Sequence, residues 1–239
     1  MKNIDVCLTP DLLPLHAASL ENSIVVVADV FRATSCMVTA FAHGVGSITP
    51  VATVEECRDL QNRGFLAAAE RNARTVEGFD LDNSPFSYMD ERLRGAHIGM
   101  TTTNGTYAIT RSRQAVKVLV GSFLNLEAIA RYLKSQPYDV LVLCAGWKGR
   151  PNLEDTLFAG GLIDRLKDTY MMAEDSAMMA WRLYCQGKDD LPGYLANSSH
   201  VRRLHRLGIQ KDIVYCLQHD LFDVVPVLRG STLVCMNVD

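Results

Sequence analysis

The segment SIVVVADVFRATS, residues 23–35, carries the clearest structural signal in this chain. Residues 24–28 are apolar at every position, which is typical of a strand buried on both faces of a parallel sheet. The run ends at Asp29, and a helical pattern begins at Ala33. A strand that leads through a carboxylate into a helix predicts a layered α/β fold with polar groups at the carboxyl edge of the sheet.

The same alternation of strand and helix extends over most of the chain. The segment YDVLVLCAG, residues 138–146, is a second strand that is apolar on both faces. Thr53 and Glu56 predict a capping box before one helix, and Asn125 is a candidate N-cap of another. The predicted strands are 4–8, 24–28, 47–51, 66–69, 97–101, 116–120 and 140–144, and the predicted helices are 33–43, 54–63, 106–113, 126–135 and 153–167.

The C-terminal part departs from this alternation. Residues 174–218 are mostly helical in pattern, with breaks at 191–193 and 197–199, before strands return at 223–228 and 232–236. Because no repeat or long linker divides the chain, we expect one domain over residues 1–239. The pattern predicts an α/β fold with a mostly parallel or mixed central sheet and a helix-rich C-terminal part.

The composition indicates a globular protein and does not argue against a small anionic substrate. The 239 residues include 24 basic and 27 acidic side chains, for a formal charge of −3. This balance argues against nucleic-acid binding, and no apolar run is long enough for a signal peptide or membrane span. Seven scattered cysteines without a Cys-x-x-Cys pair argue against a thiolate zinc site. We therefore expect a cytoplasmic protein without a nucleic-acid or membrane partner.

Two predicted strand ends carry groups suited to anions and metals. Asp29 is a candidate metal ligand or nucleophile, and Arg32 is a candidate phosphate ligand; alternatively, they are a helix cap and a surface charge. In the segment TTTNGT, residues 101–106, three hydroxyls precede an Asn-Gly pair between a strand and a helix. This loop predicts an oxyanion site, with an ordinary helix cap as the alternative.

Two further strand ends offer carboxylates or a thiol. Glu70 follows one strand, and Asp80 and Asp82 follow shortly after it, with oxygen atoms of the kind that Mg²⁺ prefers. Cys144 and Arg150 match the Cys-x5-Arg loop with which cysteine phosphatases hold phosphate. The alternative at that position makes Cys144 a core residue and the acidic pair Glu154 and Asp155 functional. A basic cluster at residues 202–211 is interpreted as a solvated helix face.

Taken together, these segments resemble the 2-phosphosulfolactate phosphatase (ComB-like) family of coenzyme M biosynthesis. The resemblance rests on ADVFRATS at 28–35, AERN at 69–72, EGFDLDNSP at 77–85, TTTNGT at 101–106 and GSFLN at 121–125. It also includes CAGxxG with LEDTxxAG within 144–161. The motifs follow the family order over roughly residues 29–161.

The resemblance implies a Mg²⁺-dependent phosphatase on a three-layer α/β/α fold, which converts 2-phospho-3-sulfolactate to 3-sulfolactate and phosphate. It implies the catalytic residues Asp29, Arg32, Glu70 and Asp155 and the metal ligands Asp29, Glu154 and Asp155. The implied substrate-binding residues are Arg32, Thr34, Arg71, Thr102, Thr103, Asn104 and Gly105. We expect a small anionic organic phosphate or sulfonate as substrate and a homodimer. The alternatives are a cysteine-dependent phosphatase that uses Cys144 and Arg150, and a non-catalytic protein that binds small anions.

Overall fold

The computed structural model describes residues 2–71 and 74–236, with side chains at all of these positions except 71, 74 and 75. The strands are β1 (Lys2–Cys7), β2 (Ser23–Ala28), β3 (Ser47–Pro50), β4 (Leu66–Arg71), β5 (Arg74–Thr75), β6 (His97–Thr101), β7 (Lys117–Gly121), β8 (Asp139–Cys144), β9 (Tyr170–Met172), β10 (Val225–Arg229) and β11 (Thr232–Met236). The α-helices are α1 (Ala17–Leu20), α2 (Ala33–Ala42), α3 (Val54–Asn62), α4 (Gly105–Arg111), α5 (Leu126–Lys134), α6 (Leu153–Leu166), α7 (Asp175–Gly187), α8 (Leu191–Leu195), α9 (Ser199–Arg206) and α10 (Gln210–Cys216).

The described strands form one mixed sheet in the order β5-β4-β6-β3-β11-β10-β7-β2-β8-β1-β9. Strands β7, β2, β8, β1 and β9 are parallel to one another, as are β4, β6 and β3. The antiparallel hairpin of β10 and β11 joins these two parallel halves. The C-terminal strands therefore lie in the middle of the sheet rather than at its edge.

Twist of the sheet brings the ends of β2 and β6 to one site. Three antiparallel pairings separate these strands, so in a flat sheet their carboxyl ends would lie at opposite edges. The two strands are also five steps apart in the sheet order. With a twist of about 20–25° per step, β6 is rotated by roughly 100–125° relative to β2. In the structure Gly105, after β6, approaches Asp29, after β2.

Helices cover both faces of the sheet. All six residues of β2 are buried, and successive side chains of a strand point to opposite faces, so neither face of β2 meets solvent. Helix α6 packs on β2, β8 and β9, while α1 and α4 also pack on β2. Helices α5, α6 and α7 contact one another in sequence. This confirms the predicted three-layer α/β fold with a mixed sheet.

The predicted elements of the first 167 residues are all present, with ends that agree within two residues. The helical character of residues 174–218 is also confirmed, and the two returning strands form the central hairpin. The predicted capping box of Thr53 and Glu56 is present. No helix in the described ranges is both long and apolar enough to cross a membrane.

One local prediction is wrong, one holds in position only and one strand was not predicted. The predicted break at 191–193 begins α8 instead, because Pro192 is tolerated in a first turn and Asp190 accepts a hydrogen bond from the Gly193 amide. Asn125 is the N-cap residue of α5, but its side chain makes no cap hydrogen bond and instead accepts from the Ser122 amide in the preceding turn. The short strand β9 was missed, since three residues at a sheet edge carry little pattern.

Close packing of α6 on α7 depends on Gly160. A Cβ atom at this position would lie 2.1 Å from the Ala180 carbonyl oxygen and 2.6 Å from the Tyr184 Cβ atom. At the adjacent Gly161, a Cβ atom would meet the Tyr184 ring at 3.0 Å and the Leu126 side chain at 3.2 Å. The first position faces backbone that cannot move alone, whereas the second faces side chains that can shift.

We predict that Gly160→Ala lowers the free energy of unfolding by about 2–3 kcal/mol, because overpacking outweighs the gain of about 1 kcal/mol in helix propensity. Gly161→Ala is the matched control and should cost clearly less. Urea denaturation followed by circular dichroism measures both. Equal stabilities of the two variants would show that the contact with Ala180 does not limit the approach of the helices.

Candidate functional site

The loops after β2, β6 and β8 surround a narrow cleft together with α9. Parallel strands commonly present ligand-binding groups at their carboxyl ends, and this cleft lies at such an edge. The side chains that line it are Asp29, Phe31, Arg32, Glu70, Asn83, Thr102, Thr103, Asn104, Trp147, Lys148, His200, Arg203 and Leu204. The strand ends that the sequence singled out therefore converge, and the C-terminal helices contribute residues as well.

Asp29 lies at the floor of the cleft. Its carboxylate accepts a hydrogen bond from the Ala33 amide at the start of α2, and the residue is only 6% exposed. Burial raises the pKa of Asp29 from 3.8 to about 6, although the nearby His200 and the Ala33 amide oppose the shift. The negative charges of Glu154 and Glu70 add to the rise. A carboxylate in this setting gains from any cation that enters the cleft.

Asp155, in the first turn of α6, joins two of the loops beneath the cleft. One carboxylate oxygen accepts from the Val30 amide at 2.9 Å, and the other accepts from the Gly146 amide at 3.0 Å. These amides follow β2 and β8, so a single buried side chain fixes both strand ends. We refer to this arrangement as the Asp155 clamp. Because both oxygens already accept backbone hydrogen bonds, the carboxylate is committed to holding the loops.

Glu154, the residue before Asp155 in the first turn of α6, is fully buried. Its Oε1 atom lies 2.5 Å from Nδ1 of His200 on α9, while its Oε2 atom is buried with no hydrogen-bond partner among the described residues. The His200 ring also packs edge-on against Phe31. Glu154 therefore links α9 to the start of α6 and lies close enough to Asp29 to affect its charge.

Arg32 lies between carboxylates rather than in open solvent. Its Nη1 atom donates to Asp212 on α10, and its Nη2 atom is 3.9 Å from Oε2 of Glu70. Asn83 places its amide nitrogen 3.5 Å from the same Glu70 oxygen, and its own Oδ1 atom is buried without a partner in the described part. The predicted candidates Arg32 and Glu70 thus meet in the cleft, and Asp212 and Asn83 orient them.

The threonine loop, residues 101–106, both caps a helix and contributes side chains to the cleft. The Thr102 hydroxyl accepts from the Thr106 amide, and the Thr106 hydroxyl accepts from the Thr102 amide, which is a helix cap. Thr103 is exposed in the cleft, and Asn104 accepts through Oδ1 from the Lys148 amide at 3.4 Å. At Gly105 a Cβ atom would lie 2.7 Å from the Ala33 Cβ and 2.9 Å from the Asp29 carboxylate. Thr102, Thr103 and Asn104 are the members of this loop that line the cleft.

Several predicted residues lie apart from the cleft lining. Thr34 is fully buried, and its hydroxyl accepts from the Asp29 amide, so it shapes the loop after β2. Asp80 accepts from the Ala67 amide, and Asp82 accepts from the Ser84 amide, both as local turn contacts. The side chain of Arg71 lies outside the described residues, as does position 72 of the AERN motif.

The Cys-x5-Arg match does not form a phosphate loop. Cys144 is the last residue of β8, pairs with Ala28 of β2 and is fully buried. Burial, together with the charge of Asp155, raises the pKa of its thiol well above the usual range, which disfavours the nucleophilic thiolate. Arg150 is exposed, and its backbone pairs with Trp147 in a tight turn. This structure contradicts the cysteine mechanism and supports the packing interpretation of Cys144.

The predicted metal ligands do not all have free oxygen atoms. No group of three or more His, Cys, Asp or Glu side chains in the described residues is arranged to hold a metal ion. Of the predicted set, Asp155 accepts one amide hydrogen bond on each carboxylate oxygen, so it is already engaged in holding the loops. Asp29 accepts one amide, and Glu154 has one oxygen without a hydrogen-bond partner in the described part. Mg²⁺ commonly binds through one or two carboxylates, substrate phosphate and water, so these two residues fit it.

Sequence reasoning missed the contribution of the C-terminal helices. His200 and Arg203 lie one turn apart on α9 and both line the cleft, although the cluster at 202–211 was interpreted as a solvated helix face. That interpretation is wrong for Arg203 and correct for the exposed Arg202 and Arg206. The spacing of His200 and Arg203 on one helix face was the available signal.

A roomier cavity of about 440 Å³ lies at the opposite, amino ends of β2 and β8. Its polar groups satisfy one another: Asp5 accepts from the Ser176 hydroxyl at 2.7 Å and lies 3.4 Å from Nδ1 of His16, and Asp139 accepts from the Asn3 amide. The smaller cleft at the carboxyl ends, with its unpartnered buried oxygens, is the better candidate for chemistry.

Comparisons with known proteins indicate one enzyme family. A family model described as 2-phosphosulpholactate phosphatase matches residues 7–231. A probable 2-phosphosulfolactate phosphatase of Thermotoga petrophila is 41% identical over 224 residues, which cover 94% of this chain and 97% of the relative. A protein with the same description from Clostridium beijerinckii is 33% identical over 97% of this chain and 99% of its own length. A third, from Gloeobacter violaceus, is 37% identical over 93% of this chain and 94% of the relative.

We predict that Asp155→Asn lowers the free energy of unfolding by about 2–4 kcal/mol, because an amide nitrogen would face one of the two backbone N–H donors. Urea denaturation of the purified variant measures the loss. Asp168→Asn, at an exposed position just after α6, is the control and should change stability by less than about 0.5 kcal/mol. An Asp155→Asn variant as stable as the wild type would contradict the clamp.

A second prediction concerns the buried charge of Asp29. Its raised pKa favours the protonated form in the fold, so its stabilising contribution is present below pH 4 and is lost as the pH rises through about 6. Asp29→Asn should therefore stabilise the metal-free protein at pH 8, by up to about 3 kcal/mol for a two-unit shift, and not at pH 4. Urea midpoints in EDTA at both pH values test this, and a pH-independent difference would contradict it.

Proposed function

This chain belongs to the 2-phosphosulpholactate phosphatase family and is a phosphatase, and from this premise we propose that it hydrolyses 2-phospho-3-sulfolactate with the help of Mg²⁺. The reaction adds water to the phosphomonoester and yields 3-sulfolactate and inorganic phosphate. Membership in an enzyme family argues against the alternative of a non-catalytic anion-binding protein. The names of the relatives support the substrate, and the cleft supports the cation.

One observation carries the role of the cation. Asp29 lines the cleft that must receive a phosphate, and the fully buried Glu154 lies close enough for its charge to affect Asp29. Like charges at short range in a medium of low dielectric constant repel strongly, and an anionic phosphate would add to that repulsion. A divalent cation held by these carboxylates would offset both repulsions.

Asp29 and the unpartnered Oε2 atom of Glu154 are the groups that would hold Mg²⁺. When bound, the ion would neutralise phosphate charge and polarise an attacking water. Asp155 is not assigned to the metal because its two oxygens serve the backbone. The predicted three-carboxylate set is thereby reduced to two ligands and a supporting clamp.

Other residues of the chain position the phosphate. Nη1 of Arg32 is held by Asp212, which fixes the plane of the guanidinium and leaves its other N–H groups for phosphate oxygens. Thr103 and Asn104 present a hydroxyl and an amide from the loop after β6. His200 holds Glu154 in place through Nδ1, and the neighbouring Phe31 and Leu204 make one wall apolar.

Phosphate release from 2-phospho-3-sulfolactate, measured with Mg²⁺ and with EDTA, tests this proposal. Wild-type protein should be active only with the metal. Asp29→Asn should lose at least about 100-fold in kcat and should bind Mg²⁺ more weakly in calorimetry, since even second-sphere changes at metal sites cost about 10–100-fold. Near-normal turnover of this variant at saturating Mg²⁺ would exclude Asp29 as a ligand.

Cys144→Ser is the matched control for the competing mechanism. A buried serine hydroxyl should lower stability by about 1–2 kcal/mol and leave most of the activity in place. A dead Cys144→Ser variant that is still folded, beside an active Asp29→Asn variant, would overturn the metal mechanism in favour of the thiolate.

A further inference from the structure

Two cations share one aromatic ring at the rim of the cleft. The guanidinium of Arg203, on α9, lies 5.0 Å from the centroid of the Trp147 ring, and Nζ of Lys148 lies 4.9 Å from the same centroid. Trp147 and Lys148 belong to the loop after β8, which is remote from α9 in sequence. All three side chains line the cleft that contains Asp29.

Neither cation has an acidic partner in the described part of the chain. Other arginines there form ion pairs, for example Arg131 with Asp223 and Arg165 with Asp220. The Trp147 ring attracts each cation through its π face, but it does not cancel their charge. Two cations that line one cleft without an acidic partner favour the binding of an anion there.

The rim and the floor of the cleft have opposite charge. Asp29 is buried at the floor, whereas Lys148 is exposed and Arg203 is half-buried at the rim. The Lys148 amide donates to Asn104, so the cationic rim is attached to the loop that faces the phosphate. A ligand with its phosphate at the floor would extend its other end towards Arg203 and Lys148.

We propose that Arg203, Lys148 and Trp147 form a second anion subsite, which binds the sulfonate of the substrate while the phosphate occupies the floor. This inference rests on the proposed function and adds residues that determine specificity. The planar fork of Arg203 suits two oxygens of a sulfonate, and Lys148 supplies a point charge beside it. The subsite would make the enzyme selective for phosphates with a second strong acid on the carbon chain.

The test compares two substrates that differ only in this group. 2-Phospholactate has a methyl group in place of the sulfomethyl group of 2-phospho-3-sulfolactate and keeps the phosphate and the carboxylate. Arg203→Ala should lower kcat/KM for the sulfonate substrate by about 10–100-fold, the range of charge-assisted hydrogen bonds, and change that for 2-phospholactate by less than about 3-fold. Lys148→Ala should show the same selectivity with a smaller loss.

Arg202→Ala is the matched control, because Arg202 is the adjacent residue on α9 and is exposed. Its guanidinium donates to the Asn197 carbonyl just before the helix begins. Arg202→Ala should leave kcat/KM unchanged for both substrates. An equal loss on both substrates in Arg203→Ala would assign Arg203 to the phosphate, the carboxylate or the fold and would overturn the subsite. Unchanged kinetics on both would overturn it as well.

Equilibrium binding separates this proposal from the proposed function. If the wild-type protein hydrolyses neither substrate, the proposed function fails, and calorimetric titration with 3-sulfolactate then decides on the subsite. Arg203→Ala should weaken that binding at least about 10-fold relative to Arg202→Ala. Equal affinities of the two variants would reject the subsite even if turnover were normal.

Discussion

The Asp155 clamp is the interaction on which the rest of the site depends. A single buried carboxylate accepts from the amides of Val30 and Gly146, which begin the loops after β2 and β8. These strands are neighbours in the sheet, but their loops diverge towards Asp29 on one side and towards Trp147 and Lys148 on the other. Without a shared acceptor, two buried N–H groups would lack partners, and each loop would be free to move away from the cleft.

The clamp also accounts for the different roles of two adjacent acidic residues. Glu154 and Asp155 begin the same helix, where a carboxylate is favoured by the helix dipole even without a function. Asp155 points to the backbone and is satisfied by it. Glu154 reaches His200 with one oxygen and leaves the other unpartnered, so it connects the floor of the cleft to α9. Of the two adjacent acidic residues, Asp155 thus holds the loops, whereas Glu154 contacts His200 on α9.

The cleft has the buried carboxylate of Asp29 at its floor and the cations Arg203 and Lys148 at its rim, and in the proposed function this polarity would orient a ligand with two acidic ends. A cation at Asp29 would allow a phosphate to bind there, while Arg203 and Lys148 would favour an anion. Gly105 is part of the same balance, because any larger residue would press on the Asp29 carboxylate and on Ala33. The close approach of backbone to carboxylate is therefore a requirement of packing as well as of chemistry.

Much of the fold and part of the site could be predicted from sequence. Runs such as residues 24–28 and 140–144 predict buried parallel strands, since only a strand covered on both faces tolerates continuous apolar side chains. Placing Asp29, Glu70 and the threonine loop at strand ends follows from the same periodicity. Because carboxyl ends of strands carry ligand sites in such sheets, the general location of the cleft was predictable from local pattern alone.

The roles of individual groups required the tertiary structure. The sequence pattern at the start of a helix cannot show that Asp155 accepts hydrogen bonds from amides of two distant loops. It also cannot show that Arg32 pairs with Asp212 from α10. Nor can it show that Arg203 turns inward to Trp147 while Arg202 beside it faces solvent. The strands, the helices and the chemical types at their ends could be predicted because they follow from periodicity along the chain. Which charges meet could not, because sheet twist and long-range packing set those distances.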